Sequence, residues 1–186
     1  MTRDQDVVDL LLAQHEEIKS LFARLERASG AQKRDLFEDL VRLLAVHEAA
    51  EEEVVHPTAR RNIASGEAIV DKRLREEDEA KHELAELYDL GVDHPDFDAR
   101  LAKFAEAVVH HATREETEEF AKLRDALSAD QLRTLAGAVR TAEATAPTRP
   151  HPAAGESATA NLALGPPLAL FDRVRDAVRD WSRTPS

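Results

Sequence analysis

The sequence predicts an all-α fold: an up-down-up-down four-helix bundle with a short fifth helix and a C-terminal tail that carries a short amphipathic helix. Three observations support this prediction. Apolar residues recur at steps of three and four over long stretches, strand-like alternation is scarce, and only 6 of the 186 residues are glycine. The long periodic stretches are joined by short loops, as is typical of bundles whose consecutive helices are antiparallel neighbours.

The helix boundaries follow from turn and capping residues. Ser29-Gly30 and Gly91 are typical of helix C-termini, and Ser128 is typical of an N-cap. The predicted helices, in chain order, cover residues 4–28, 32–60, 67–91, 96–127 and 129–143. Residues 1–143 are therefore expected to form one helical domain.

The composition changes after this domain. Residues 144–166 are rich in Pro, Ala, Ser and Thr and indicate an extended linker. Residues 167–181 regain helical periodicity and predict an amphipathic tail helix. We expect it to dock on the bundle or on a second subunit rather than on a membrane, because its polar face alternates Asp with Arg. A monomer or a weak homo-oligomer is expected.

Composition excludes several classes of function. The chain has no cysteine, so disulfides, zinc–thiolate sites and iron–sulfur clusters are excluded. Its net charge of -12 disfavours nucleic acid as a partner. Neither a signal peptide nor a membrane span is evident, and a cytoplasmic location is expected.

Three predicted helices carry polar residues at positions that the periodicity assigns to the core. His15 lies in phase in the first helix, His47 and Glu51 in the second, and His111 and Glu115 in the fourth. The second and fourth helices thus repeat the spacing His-x-x-x-Glu, which places an imidazole and a carboxylate one turn apart on one face. A single histidine in the core is commonly only hydrogen-bonded, and a single His-x-x-x-Glu pair is commonly exposed. Two copies of this pair together with a third histidine indicate a ligand-binding site.

A metal site explains why such groups would be buried. An unpaired buried carboxylate costs several kcal/mol, and a divalent or trivalent cation removes that cost. Imidazole and carboxylate donors without sulfur suit iron or manganese, with zinc as a further alternative. Five or six inward ligands exceed the needs of one ion, so a pair of metals is expected.

The segments LLAQHEEIKSLF, LAVHEAAEEEVVHP and VVHHATREETEEF resemble the hemerythrin-like family, also called HHE cation-binding domains, over roughly residues 5–127. The resemblance implies a four-helix bundle that holds an oxo- or hydroxo-bridged di-iron pair (Fe–O–Fe). It also implies that Glu51 and Glu115 bridge the metals and that His15, His47 and His111 are terminal ligands. Members of this family bind oxygen or handle peroxide or nitric oxide.

The third helix departs from the family pattern, which usually has one or two histidines there. The core phase instead reaches Glu77 and Lys81, and His82 is one residue out of phase, about 100° away. We therefore predict Glu77 as the ligand from this helix. Two alternatives are that His82 is the ligand in a rotated helix and that Glu77 and Lys81 form an ion pair without touching metal.

The sequence assigns weaker roles to other residues. His110, next to His111 but out of phase, is expected to flank the site or to support a ligand. His56 lies more than a turn beyond Glu51 and is expected to be exposed. Tyr88 is expected to be an ordinary half-buried tyrosine, and the glutamate runs are expected to form mostly a solvated face.

Three functions are compatible with such a site. The first is oxygen carriage or sensing, the second a di-iron catalase- or peroxidase-like enzyme, and the third a metal-storing or structural bundle. A third-helix glutamate adds negative charge and favours ferric iron, and Glu77 or Lys81 could pass protons to peroxide. Handling of peroxide or nitric oxide in stress defence, with a small peroxide or diatomic ligand, is therefore the preferred expectation.

Overall fold

The computed structural model describes residues 5–145, and every regular element in that range is helical. Helix α1 spans Val7–Leu25, α3 spans Gly66–Leu90 and α5 spans Ala129–Thr145. Helix α2 consists of Gly30–Ala50, a π-helical segment Glu51–Val55, and His56–Asn62. Helix α4 is built in the same way from Phe97–Arg114, a π-helical segment Glu115–Phe120, and Ala121–Ala126. The predicted all-α bundle with a fifth helix is confirmed, whereas the two π segments were not predicted.

Local capping explains where the helices begin and end. The Asp6 carboxylate accepts a hydrogen bond from the backbone N–H of Asp9 at 2.9 Å, so α1 starts slightly later than predicted. Gly91, with φ of 80°, ends α3 as expected. Ser128 precedes α5, and its hydroxyl accepts a hydrogen bond from the N–H of Gln131.

Packing between the helices brings four of them around one interior. Helix α1 packs along α2 and also contacts α4, while α3 packs along α4 and the end of α2. Helix α5 lies across α1 and α2 and closes that side of the bundle. The approach of α3 to α2 requires a glycine, because a Cβ at Gly66 would lie 2.4 Å from the Ala59 carbonyl oxygen.

The predicted linker and tail helix lie almost wholly outside the described residues. Helix α5 extends through Thr145, just past the predicted start of the linker, and residues 167–181 are not described. Among the helices of residues 5–145, none is both long enough and apolar enough to span a membrane.

The interior contains two apolar clusters separated by a polar layer. One cluster includes Leu11 of α1, Phe120 of α4 and Val139 of α5. The other includes Ile18 of α1 and Phe104 of α4, together with neighbours from α2 and α3. In α1 the polar layer falls at His15, between Leu11 and Ile18, and the bundle therefore sandwiches polar side chains between two apolar ends.

Candidate metal centre

The polar layer gathers ligand-type atoms into two clusters. One consists of His15, His47, Glu51 and Glu115, and the other of Glu51, Glu77, His111 and Glu115. Within each cluster the nearest ligand atoms lie within 4.8 Å of one another. All of these residues are buried except His111, which is nearly so. The clusters share Glu51 and Glu115, so the arrangement offers two adjacent cation positions with two carboxylates between them.

The two His-x-x-x-Glu pairs lie on the inner faces of α2 and α4. His47 Nε2 lies 3.3 Å from Glu51 Oε2, and His111 Nε2 lies 3.0 Å from Glu115 Oε1. From α1, His15 Nε2 lies 3.5 Å from the other oxygen of Glu115. Each pair stands at the junction of an α-helix with its π segment, which begins at the glutamate. Such segments are rare and occur frequently at functional sites.

The three histidines are oriented by acceptors at Nδ1. His15 Nδ1 donates to Glu116 Oε1 at 2.9 Å, and His111 Nδ1 donates to Glu76 Oε2 at 3.0 Å. In both cases the direction follows because an ionised carboxylate can only accept. In its neutral form each ring then directs its Nε2 lone pair at the centre of the site, which is how imidazole ligands of metals are commonly held. Burial lowers the pKa of His111, but Glu115 and Glu76 outweigh it and raise that pKa well above the ordinary value, so a metal ion would displace a proton there.

His47 is held by a chain that begins in α5. The Gln14 amide nitrogen donates to the Glu143 carboxylate, so its oxygen faces His47 and accepts from Nδ1 at 2.7 Å. Burial, and next the neighbouring His15, lower the pKa of His47 to about 3, so the ring is neutral near pH 7. Neutral imidazole is the form that binds metals.

The contact between His15 and His47 fits a bound cation. Their Nε2 atoms lie 3.1 Å apart, and both rings carry the proton at Nδ1. Two lone pairs at that distance repel each other unless something positive lies between them. A metal ion between them would accept both lone pairs.

The buried carboxylates Glu51 and Glu115 also indicate a bound cation. Both oxygens of Glu51 and of Glu115 are buried and lack a hydrogen-bond partner among the described residues. Burial and then the charge of Glu115 raise the pKa of Glu51 well above its ordinary value. Burial alone would raise the pKa of Glu115 too, but His111 and His15 hold it well below the usual range. Unsatisfied buried oxygens are costly, and a multivalent cation would satisfy them.

In the third helix, the structure brings Glu77 to the centre and leaves His82 outside. Glu77 is buried in the second cluster, and its Oε2 has no hydrogen-bond partner within residues 5–145. His82 is exposed and its ring contacts the backbone oxygen of Asp78 at 2.8 Å.

Lys81 Nζ lies 4.0 Å from Glu77 Oε2, pairs closely with Glu52, and lies 3.8 Å from Glu48. Burial raises the pKa of Glu48 to about 8 despite the nearby Lys81.

His110 and Tyr88 lie outside both clusters. His110 is exposed and lines a pocket that also contains His15, His47 and His111. Tyr88 is half-buried against the apolar cluster at the far side of the polar layer, as the sequence predicted.

The expectation that His56 is exposed was wrong. It is 1% exposed, with Nε2 at 2.5 Å from Glu77 Oε1 and Nδ1 at 3.0 Å from Glu119 Oε1. The π segment between Glu51 and His56 inserts extra chain into the turn and rotates His56 inward. Burial lowers the pKa of His56, but the two carboxylates outweigh it and raise the pKa well above the ordinary value. Glu119, in a run expected to be solvated, is buried as well.

A pocket leads from the surface to the three histidines. Its volume is about 180 Å³, and His15, His47 and His111 form its floor. Its wall is largely apolar, with Ile18, Leu44, Ala80, Phe104 and Val108 among the lining residues. Charged side chains of α3 and α4, including Glu79, Glu83 and Arg114, line its outer part. The pocket is large enough for a molecule of a few non-hydrogen atoms to reach the site.

Comparisons with known proteins agree with the geometry. The sequence model of the family described as "Hemerythrin HHE cation binding domain" matches residues 6–123. A curated relative, a "DNA nickase" from Nostoc sp., is 29% identical over 130 residues, which are 69% of this chain and 36% of that protein. The chain thus spans about a third of that relative's length. The crystal structure of a hemerythrin HHE cation-binding-domain protein from Mycobacterium kansasii has a TM-score of 0.67 at 16% identity, covering 90% of this chain and 98% of that one. It supports the fold.

Proposed function

The chain belongs to the hemerythrin HHE cation-binding family, and we propose that it is a non-haem di-iron protein that handles peroxide, oxygen or nitric oxide in redox or stress defence. The observation that carries this proposal is the pair of buried clusters joined by Glu51 and Glu115. A single ion would leave some of these buried donors unsatisfied. Two ions with shared carboxylates use all of them.

We assign the ligands from the clusters. His15 and His47 would hold the first iron, Glu77 and His111 would hold the second, and Glu51 and Glu115, which belong to both clusters, would serve both. Imidazole and carboxylate donors suit iron, with manganese or zinc as the alternatives. Bound iron would supply redox exchange with oxygen, peroxide or nitric oxide. The two positions are unequal, because the first has two imidazoles and two carboxylates, whereas the second has one imidazole and three carboxylates.

The protein's own residues control access and orientation. Leu44, Phe104 and Val108 give the pocket an apolar lining beside the histidines, which disfavours water there. The hydrogen bonds at Nδ1 keep each imidazole directed inward and prevent it from rotating to meet an incoming molecule. These features favour a small uncharged ligand, such as hydrogen peroxide or a diatomic gas.

The preference for turnover over carriage rests on Glu77. A carboxylate in place of a third-helix histidine stabilises ferric iron, which disfavours reversible oxygen binding at a ferrous pair. We therefore favour a catalase- or peroxidase-like activity over oxygen carriage, and carriage over storage alone.

The experiment is an absorption and gas-evolution assay on protein purified without chelator and loaded with ferrous iron under argon. We expect near-ultraviolet bands that change when hydrogen peroxide is added, together with oxygen release. Protein stripped of iron provides the control. The enzymatic proposal would be refuted, in favour of carriage or sensing, by two results together. The absorption spectrum of the iron-loaded protein would be unchanged by peroxide, and the protein would form a stable, reversible adduct with oxygen.

A further inference from the structure

Helices α1 and α2 are related to α3 and α4 by a pattern of matching side chains. His47 and Glu51 precede the π segment of α2 as His111 and Glu115 precede that of α4. Across the site, Lys19 pairs with Glu116 at 3.4 Å, and Lys81 pairs with Glu52. Each of these glutamates directly follows a shared carboxylate, and each lysine lies four residues after an inward-facing residue, His15 or Glu77. Glu77 therefore occupies in α3 the place that His15 occupies in α1.

The residues that lie behind these two groups differ in kind. Behind His15, the ring of Phe120 stacks at a centroid distance of 5.6 Å with planes 22° apart. Val55 belongs to the same apolar cluster as Phe120. Val55 and Phe120 form what we call the apolar pair.

Behind Glu77 the corresponding positions are polar. His56 comes five residues after Glu51, and Phe120 comes five residues after Glu115. Likewise, Glu119 comes four residues after Glu115, and Val55 comes four residues after Glu51. His56 bridges Glu77 and Glu119 through its two ring nitrogens at 2.5 and 3.0 Å. We call His56 and Glu119 the polar pair. All four side chains of the two pairs are at most 1% exposed, so the difference is not due to solvent.

Each pair suits the group in front of it. An imidazole presents a flat apolar face on which a phenylalanine can stack. A carboxylate instead needs a donor, and His56 supplies one to Oε1 of Glu77 while Oε2 has no hydrogen-bond partner among the described residues. Burying a polar pair where an apolar one fits is unfavourable unless its groups are hydrogen-bonded, as His56 is at both ring nitrogens.

We propose that His56 and Glu119 are positioning residues that hold Glu77 as a one-oxygen ligand of the second metal ion, a role that rests on the di-iron function proposed above. Glu119 fixes the imidazole ring through Nδ1. The ring fixes Oε1 of Glu77 and leaves Oε2 for the metal. The pair thereby allows α3 to use a carboxylate where α1 uses an imidazole.

The test exchanges the polar pair for the pair that the chain uses behind His15. In the double variant His56→Phe with Glu119→Val, we expect the first equivalent of cobalt(II) to bind as in the wild type. The second should bind roughly 10- to 100-fold more weakly, the usual effect of removing a group that orients a ligand. Visible absorption during the titration and metal content after desalting are the readouts, and circular dichroism monitors folding.

Adding Glu77→His to this double variant provides the rescue. An imidazole in front of the apolar pair recreates the arrangement at His15, so we expect binding of the second equivalent to recover. Two tightly bound equivalents in the double variant would overturn the proposal. So would a failure of Glu77→His to restore the second equivalent, because the loss would then reflect damage rather than a mismatch.

Further variants separate this proposal from the di-iron function. If the double variant does not fold, His56→Leu takes its place, because leucine donates to neither carboxylate. Unchanged affinity in His56→Leu would overturn the proposal. A wild type that binds fewer than two equivalents, or a Glu77→Ala variant that keeps both, would overturn the di-iron assignment and this proposal with it. A second equivalent that depends on Glu77 but not on His56 would overturn the positioning role alone.

Discussion

Each candidate histidine ligand uses its two ring nitrogens for different purposes. Nδ1 of His15, His47 and His111 is held by Glu116, Gln14 and Glu76, while Nε2 faces the shared carboxylates. The orienting groups fix the tautomer before any metal arrives, which lowers the entropy lost on binding. Removing one of them should therefore weaken metal binding without removing a ligand.

Gln14→Leu tests this at His47. The leucine retains the bulk of the side chain but cannot accept from Nδ1, so we expect the first metal to bind roughly 10- to 100-fold more weakly. Glu143→Leu should have a smaller effect in the same direction, because Glu143 acts only through Gln14. Arg133→Leu, at an exposed residue of α5, is the control. Equal metal affinity in Gln14→Leu and the wild type, measured by competition with a chelator, would contradict the orienting role.

Glu77 and His82 provide a second comparison at this scale. Glu77→Ala should lose one of two bound metals, because it removes a buried member of the second cluster. His82→Ala should keep both, because His82 is exposed and contacts only its own helix. Elemental analysis of the desalted proteins distinguishes them, and the reverse result would show that α3 rotates when metal binds.

The sequence was sufficient to predict which inward positions could be ligands, because helical phase alone brings His15, His47 and Glu51 to one interior. It could not identify Gln14 or Glu116 as orienting groups. Their partners lie on other helices, and only the packing of α1 against α2 and α4 brings them within hydrogen-bond distance. No local pattern distinguishes these residues from the many other polar residues of the chain.

At the scale of elements, the two π segments matter most. Both begin at a shared carboxylate, and both change the direction in which the following residues point. In a regular α-helix His56 would lie roughly 140° around the axis from Glu51. In a π segment, with hydrogen bonds from i to i+5, it returns close to the same side. The sequence could not predict this, because the EEEVV segment fits an α-helix equally well, and the prediction for His56 failed for that reason.

Deletion of Glu53 tests the π segment of α2. Glu53 is exposed, so its removal deletes no packed side chain but allows a regular α-helix to form. His56 would then follow Glu51 by four residues, which a regular α-helix places roughly 40° apart. His56 and Ala59 would keep their inward direction, and we expect the variant to retain the second metal and most of its thermal stability. Glu53→Ala keeps the register and should behave as the wild type. A deletion variant that loses the second metal, or that melts far below Glu53→Ala, would contradict the view that the π segment accommodates one extra residue.

At the scale of the whole molecule, the bundle holds a layer of buried charge between two apolar ends. The ends supply the folding free energy, and the layer reduces it, because Glu51 and Glu115 repel each other and lack hydrogen-bond partners among residues 5–145. Helix α5 adds apolar contacts and the Glu143 link to the site, although it lies beyond the residues matched by the family model. The fold is thus expected to be stable without metal and more stable with it.

The buried charge of the polar layer predicts that the melting temperature depends on bound metal. Metal at about 100 times its dissociation constant stabilises the native state by about 2.7 kcal/mol per site. For a chain of this size that raises the melting temperature by roughly 5 to 10 °C. Differential scanning calorimetry with iron and with chelator measures the shift. Identical transitions in both conditions would contradict the account of the polar layer.

The most direct test of the central claim is the iron content of the wild type beside the double variant His47→Ala with Glu115→Ala. Both proteins are loaded with ferrous iron under argon, desalted, and measured for iron per chain and for helicity. We predict two irons per chain in the wild type, and no stoichiometric iron in the variant with most of its helicity intact. Two irons retained by the variant, or a wild type that binds none, would contradict the di-iron centre.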